Sequence, residues 1–198
     1  MSIMDSFEAL LNQAEIAHGH LCAGQILGVR MAMLGCQSLG LDDPRGRDRK
    51  RLVTYVEIDR CATDAIAVVT GCRLGKRALK FRDWGKMAAT FVDLATHKAI
   101  RIAARESSKQ RARDLYPEIP DKNQQQMRAY RELPDADLFS TQWVEVKVEP
   151  RELPGYKAPR IACDVCGEGI NYDREVKKAG QTLCQSCANP AERYFQPL

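Results

Sequence analysis

Four cysteines close the sequence in two pairs, Cys163-x-x-Cys166 and Cys184-x-x-Cys187, with seventeen residues between the pairs. Two thiolates separated by two residues form a tight knuckle that aims both sulfurs at one point, and two such knuckles complete a tetrahedral Zn2+ site. Gly167 and Gly169 follow the first pair, where a knuckle needs residues free to adopt positive φ. Residues 161–198 are too few to bury a self-sufficient apolar core, and units below roughly 40 residues usually need a metal, disulfides or a partner. Zinc is therefore expected to supply most of the folding free energy of this segment. Redox Cys-x-x-Cys pairs and disulfides are the competing explanations, and two pairs at ligand spacing argue against both.

A second group of donors lies near the start. Two of the three histidines stand beside a cysteine in one pentapeptide, His18-Gly19-His20-Leu21-Cys22. Imidazole and thiolate suit zinc and similar borderline metals, and residues two apart on an extended segment face the same side. Cys22 also precedes a predicted helix, whose free N–H groups and dipole favour a thiolate. A helix junction with a buried cysteine and two partly exposed histidines accounts for the spacing equally well. Asp59-Arg60-Cys61-Ala62-Thr63-Asp64 adds a further thiol at the join of a strand and a helix, with Asp64 placed to cap that helix. Ligands tend to bind at such joins in open α/β layers. Cys72 follows at the far end of the same helix, about 16 Å from Cys61 at 1.5 Å per residue, so the two cannot share a metal on a straight helix. Cys61 is then the partner of the His-x-His-x-Cys segment, Cys72 belongs to a separate turn, and Cys36 to core packing. Three donors with open positions describe a catalytic or exchangeable site.

The elements that must hold these groups are legible from periodicity. Apolar spacing over residues 5–17 predicts a helix starting at Asp5 or Ser6, and a second helix runs from Ala23 to about Leu39, ending at Gly40. On the second, Gly24, Gly28, Ala32 and Cys36 form a stripe of small side chains, which lets another backbone approach closely. Residues 52–58 read as a strand, residues 62–69 as a helix closed by Gly71, and 78–82, 88–94 and 98–103 as short strands. Polar-faced helices are expected over 105–115 and 122–133, ended by Pro117 and Pro134, and the alternation at 143–148 predicts a last strand. Pro150, Pro154, Gly155 and Pro159 mark a stiff linker. Without regular βαβ alternation the fold class is α+β: a cleft-containing core domain over 1–148, a linker over 149–160 and a small four-cysteine module over 161–198.

Composition narrows the setting. The chain has 198 residues, 44% apolar and 28% charged, an ordinary globular balance. The opening residues carry no basic, apolar leader pattern, and no run reaches the roughly 18 apolar residues that span a bilayer. Eight cysteines in an unexported chain fit a reducing compartment, so the expected location is cytoplasmic, with no membrane partner. The net charge is a mild +4. Arg45, Arg47, Arg49, Lys50 and Arg51 crowd one loop, and Arg101, Arg105, Lys109, Arg111 and Arg113 recur along an expected helix. Such runs can bind phosphates, but acids are interspersed and no aromatic residues alternate with them as stacking platforms. No nucleic-acid partner is expected.

Four ordered motifs resemble one family. His18-Gly-His-x-Cys22-Ala-Gly24, Asp59-x-Cys61-Ala-x-Asp64-Ala-Ile66, Thr70-Gly-Cys72-x-x-Gly-Lys76 and Asp83-x-Gly85-Lys86-x-Ala-x-Thr90-Phe91 are similar to those of the formylmethanofuran dehydrogenase E-subunit family, over roughly residues 15–95. Some members carry a C-terminal zinc ribbon or treble-clef module. The resemblance implies an α+β domain that pairs into homodimers, with His18, His20, Cys22, Cys61, Asp64 and Cys72 lining a cleft. The sequence departs from the pattern at Ala23, where proline is common, and at Arg77-Ala78, where a Gly-Asn pair often follows the lysine. The reaction of the family's namesake belongs to other components of that enzyme and does not transfer with the fold. The resulting expectation is a metal-binding protein with a structural zinc and a second transition metal, Zn2+ or similar, in the cleft. It would serve as an accessory to a metalloenzyme, or as a metal-dependent enzyme acting on an unidentified small molecule. The alternative is a regulator whose zinc module docks a nucleic acid or protein; a thiol redox protein would need two cysteines in reach of each other. Val92, Leu94 and the small-residue stripe exceed the needs of a one-sheet core and also point to a dimer.

Overall fold

Helix α2 (Ala23–Ser38) and helix α3 (Cys61–Thr70) meet where side chains are smallest. A Cβ on Gly28 would lie 2.5 Å from the Ala62 carbonyl oxygen, and one on Gly24 would lie 3.4 Å from the Cys61 Cβ. The two helices therefore touch backbone to backbone and start side by side. Further along, Gly35 gives way to the Phe91 ring, while Ala32 and Cys36 are fully buried. The stripe is thus spent within the chain, and Val92 is buried as well, so neither supplies the surplus from which a dimer was argued.

The computed structural model describes residues 4–196. The chain divides into one unit that ends at Lys147 and another that begins at Val148. In the first, α1 (Phe7–His18) is capped by Ser6, whose hydroxyl accepts from the Ala9 N–H, and is closed by Gly19 at φ +96°. Leu10, Leu11 and Ala14 are its buried face. Five strands form one sheet: β1 (Leu52–Val56), β2 (Leu79–Phe81), β3 (Ala88–Asp93), β4 (Ala99–Ala104) and β5 (Phe139–Val144). Their order is β2-β1-β3-β4-β5; only the β1–β2 pair is parallel. Leu52, Val56, Phe91, Ile100 and Ile102 join the helices in one core. Helices α4 (Ser107–Leu115), α5 (Lys122–Glu132) and the single turn α6 (Asp135–Leu138) fill the connection between β4 and β5.

The last strand lies four residues earlier than its alternation predicts. Phe139 is buried and pairs with Ala104, which sets the register through to Val144 opposite Ala99. Glu145 to Val148 continue the sequence pattern but have no strand partner among the described residues. Arg77, where the family often has glycine, adopts φ +58° itself, in the left-handed region that glycine enters without penalty.

Most members of the basic runs are answered inside the first unit. Arg45 pairs with Asp5, Arg47 and Arg51 with the buried Asp48, and Arg51 also with Asp93 at 2.7 Å. Burial works to raise the Asp93 carboxyl, but Arg51, the Ala95 N–H and the Thr96 hydroxyl outweigh it and hold the group below the usual carboxylate range. In the second run Arg101 forms two bonds of 2.6 and 2.7 Å to Glu57, Arg105 donates to the Phe139 carbonyl, and Lys109 and Arg111 pair with Glu106 and Asp137.

The second unit is small. Two hairpins, β6 (Ile161–Ala162) with β7 (Gly169–Ile170) and β8 (Val176–Lys178) with β9 (Gln181–Leu183), precede the short α7 (Gln185–Ala188). The segment expected as a spacer is bonded to this unit. Arg151 donates to the Asp173 carbonyl at 3.2 Å, and the Tyr156 hydroxyl donates to the Asp173 carboxylate. No helix among the described residues is long and apolar enough to cross a membrane.

Candidate metal centres

The four C-terminal sulfurs converge. Those of Cys163, Cys166, Cys184 and Cys187 lie within 4.8 Å of one another, and the Cys166–Cys184 separation is 3.8 Å. Zn–S bonds of about 2.3 Å in a tetrahedron place sulfurs about 3.8 Å apart, so the spacing is that of a closed four-thiolate site. Gly167 takes φ +74° to turn the first knuckle; Gly169 sits instead in β7 close beneath the Arg160 guanidinium. The Cys166 and Cys184 N–H groups favour the Cys163 thiolate and bring it to about 6. The Glu168 N–H works in the same sense at Cys166, yet desolvation and the sulfurs of Cys163, Cys187 and Cys184 push that thiol up to about 12. Four sulfurs this close cannot all ionise without a cation among them, and zinc supplies it. These cysteines form a structural zinc site.

The second group is built where three elements end. His18 is the last residue of α1, His20 lies in the connection, and Cys22 is the N-cap residue of α2. Their donor atoms lie within 4.8 Å of one another, and the two rings stand 4.7 Å apart. Donors sharing one tetrahedral ion are about 3.3–3.8 Å apart, so closure takes side-chain movement on the order of an ångström. Asp64, in the first turn of α3, contacts His18 Nδ1 at 2.8 Å. That bond assigns the proton to Nδ1 and leaves Nε2 as the donor, the carboxylate–histidine arrangement that orients metal-ligating imidazoles. Beside it opens a cleft of about 340 Å³ lined by His18, Asp59, Arg60, Cys61, Thr63 and Asp64.

Cys61 opens α3 and lies against Cys22. Desolvation, followed by the hydrogen bond and charge of Cys22, raises its thiol, and its own backbone and Arg60 only partly offset this. Cys72 is elsewhere. It is buried in the core, accepts from the Thr54 hydroxyl and donates to the Leu52 carbonyl, both at 3.6 Å, and burial raises it. It lines no part of the cleft, because a satisfied thiol on the sheet side of α3 cannot turn toward the helix start. Asp59, Arg60 and Thr63 were not singled out from sequence as cleft residues. Their nearness to Cys61 at a strand-to-helix join was the available signal.

Comparison with known proteins places this geometry in a family. Residues 17–140 match the family described as "FmdE, Molybdenum formylmethanofuran dehydrogenase operon", and residues 157–193 match "Prokaryotic dksA/traR C4-type zinc finger". A protein of Archaeoglobus fulgidus named a probable S-adenosyl-L-methionine-binding protein is 29% identical over 195 residues, covering 90% of this chain and 52% of its own length. The chain thus spans about half the length of the curated relative it matches. In the fold, the crystal structure of a tungsten formylmethanofuran dehydrogenase FmdE-like protein from Syntrophus aciditrophicus superposes with a TM-score of 0.64 at 20% identity, covering 98% of this chain and 97% of that one. The first match covers more than half of the chain and the second lies over the four converging cysteines, so the chain is a metal-binding protein that belongs to the FmdE family.

Proposed function

We propose that the protein holds an exchangeable transition metal through His18 Nε2, His20 and Cys22, and uses it on a small molecule bound in the adjoining cleft. The observation that carries this reading is the convergence of three donors, of which His18 also lines the cleft and is oriented there by Asp64. The donor set fits zinc or a similar borderline ion, and three protein ligands leave a position open for exchange. A divalent ion bound there supplies Lewis-acid chemistry. Asp64 orients His18, Cys61 stands beside Cys22, and Asp59, Arg60 and Thr63 line the space for the ligand. The same open position would also suit transfer of the ion to a metalloenzyme, the accessory role. S-adenosyl-L-methionine is not carried over, since this chain covers only half of the relative so named.

Metal analysis of the intact protein should find about two ions per chain, and Cys22→Ser should leave about one, retained by the four-cysteine site. An unchanged metal content in Cys22→Ser would remove the reading. Asp64→Asn keeps the ligands but weakens the orienting bond, and should lower affinity for the cleft ion about 10-fold or more. Most arginines of the two basic runs are engaged by acids or carbonyls of the chain, which argues against a nucleic-acid partner. A reducing, cytoplasmic setting belongs to the same reading, as does a two-fold homodimer, which now rests on family resemblance alone. Sedimentation at micromolar concentration should give a species of twice the 22.2 kDa chain mass; a lone species at the chain mass would exclude the dimer.

A further inference from the structure

The contact between α2 and α3 that aligns their starts also pairs two thiols from distant parts of the sequence. The absent side chain at Gly24 makes the point: a Cβ there would stand 3.4 Å from the Cys61 Cβ and 3.7 Å from the Cys22 sulfur. Both cysteines border one small space, and each thiol is a hydrogen-bonding neighbour of the other. The Cβ spacing of a disulfide, about 3.5–4.5 Å, is set by the backbone, here by the close approach of α2 and α3 at Gly24 and Gly28; rotation of the two side chains then has only to bring sulfurs already within hydrogen-bond reach into the disulfide torsion. Cys61 is reached from outside because it lines the cleft. The remaining cysteines are otherwise engaged: Cys36 is fully buried, Cys72 is bonded within the core, and the C-terminal four form the zinc site.

We propose that Cys22 and Cys61 are a redox-reactive dithiol that closes to an intramolecular disulfide by exchange with a small organic disulfide. The deprotonated Cys61 sulfur attacks one sulfur of the incoming R–S–S–R, whose S–S bond breaks and releases the first RS−. The deprotonated Cys22 sulfur then attacks Cys61 Sγ in the mixed disulfide, forming the Cys22–Cys61 bond and releasing the second RS−. The two protons lost by the cysteines end on the two released thiolates, so the protein is oxidised by two electrons and the small disulfide is reduced to two thiols. The consequence for the cleft rests on the proposed function: a sulfur in a disulfide is no longer a thiolate ligand, so closure withdraws Cys22 from His18 and His20.

The test uses the full chain with zinc in the C-terminal site and no added cleft metal. It is treated with excess glutathione disulfide, alkylated and digested. The expected result is a link between the Cys22 and Cys61 peptides, with the mass lower by two hydrogens and the thiols restored by dithiothreitol. Cys22→Ser should instead trap one glutathione on Cys61, a readout that holds even where the variant is less stable. Recovery of both cysteines fully alkylated, or their linkage to other thiols, overturns the proposal. In a chain loaded with a second zinc, oxidation should release that ion to a metallochromic chelator. A chain that forms the link but never takes up a second zinc leaves the dithiol standing and sinks only the metal reading. A chain that binds the second zinc yet forms no link when stripped of it overturns the dithiol.

Discussion

Stripping zinc with a strong chelator should unfold the second unit while the first keeps its structure. Among the described residues the buried apolar set of the second unit is Cys163, Ile170, Leu183 and Ala188, and two of its hairpin strands are two residues long. At about 0.8 kcal/mol per buried methylene, such a cluster cannot offset roughly 1–2 kcal/mol of backbone entropy for each ordered residue. Structural zinc supplies about 10–16 kcal/mol in small domains of this kind, which makes the metal the deciding term. The first unit has its own core of helices and sheet and contains none of the four ligands. Hydrogen exchange is the direct measurement. Amides of β6 to β9 and α7 should lose protection on chelation while those of β1, β3 and α2 retain theirs. Cys184→Ser should reproduce the pattern without chelator, and a variant that kept both its zinc and its protection would refute the assignment.

Arg101→Ala should destabilise the first unit by about 3 kcal/mol. Glu57 is buried, and Arg101 on β4 donates two hydrogen bonds to its carboxylate. Removing the guanidinium leaves a carboxylate out of water without its partner, and breaking such pairs costs about 3–5 kcal/mol. The lower end applies here because Arg101 is a quarter exposed. Urea unfolding should show a lower midpoint at constant slope. Replacing both residues by Met should recover most of the loss, since the penalty lies in the orphaned charge rather than in the missing attraction. Equal loss in the single and double variants would show that the pair stabilises for another reason. The effect also bears on the cleft, because the Glu57 carbonyl receives the Trp84 and Lys86 N–H groups and the chain reaches Cys61 four residues later.

What could be read from the sequence follows the range of the forces involved. Local signals were sufficient for α1, α2 and α3, where Ser6, Gly19 and Gly71 fix the ends through their own side chain or φ. Knuckle spacing likewise brought out the four zinc ligands. β5 was misplaced because a strand's register is set by its partner: the alternation of Trp143 to Val148 carries no information about the Phe139–Ala104 pairing. Residues 149–160 read as a spacer because proline content reports stiffness and says nothing about the bonds from Arg151 and Tyr156 to Asp173. Cys72 looked chemical because it stands in a motif, but its role depends on Thr54 and Leu52, some twenty residues away. The same applies to the pairing of Cys22 with Cys61, which exists only once Gly24 and Gly28 let two helices close on each other.

The pairing of the basic runs has a kinetic consequence. A guanidinium held about a hydrogen bond's length from a carboxylate presents a dipole to its surroundings, and a dipolar potential fades with distance faster than that of a single charge. Beyond the Debye length of about 8 Å at physiological ionic strength, little of it survives. The arginines committed to Asp5, Asp48, Asp93, Glu57 and Asp137 therefore do not draw an acidic partner in from afar. These pairs add little to long-range steering above the unsteered rate of about 10⁵–10⁶ M⁻¹s⁻¹, and salt has little of their field to screen.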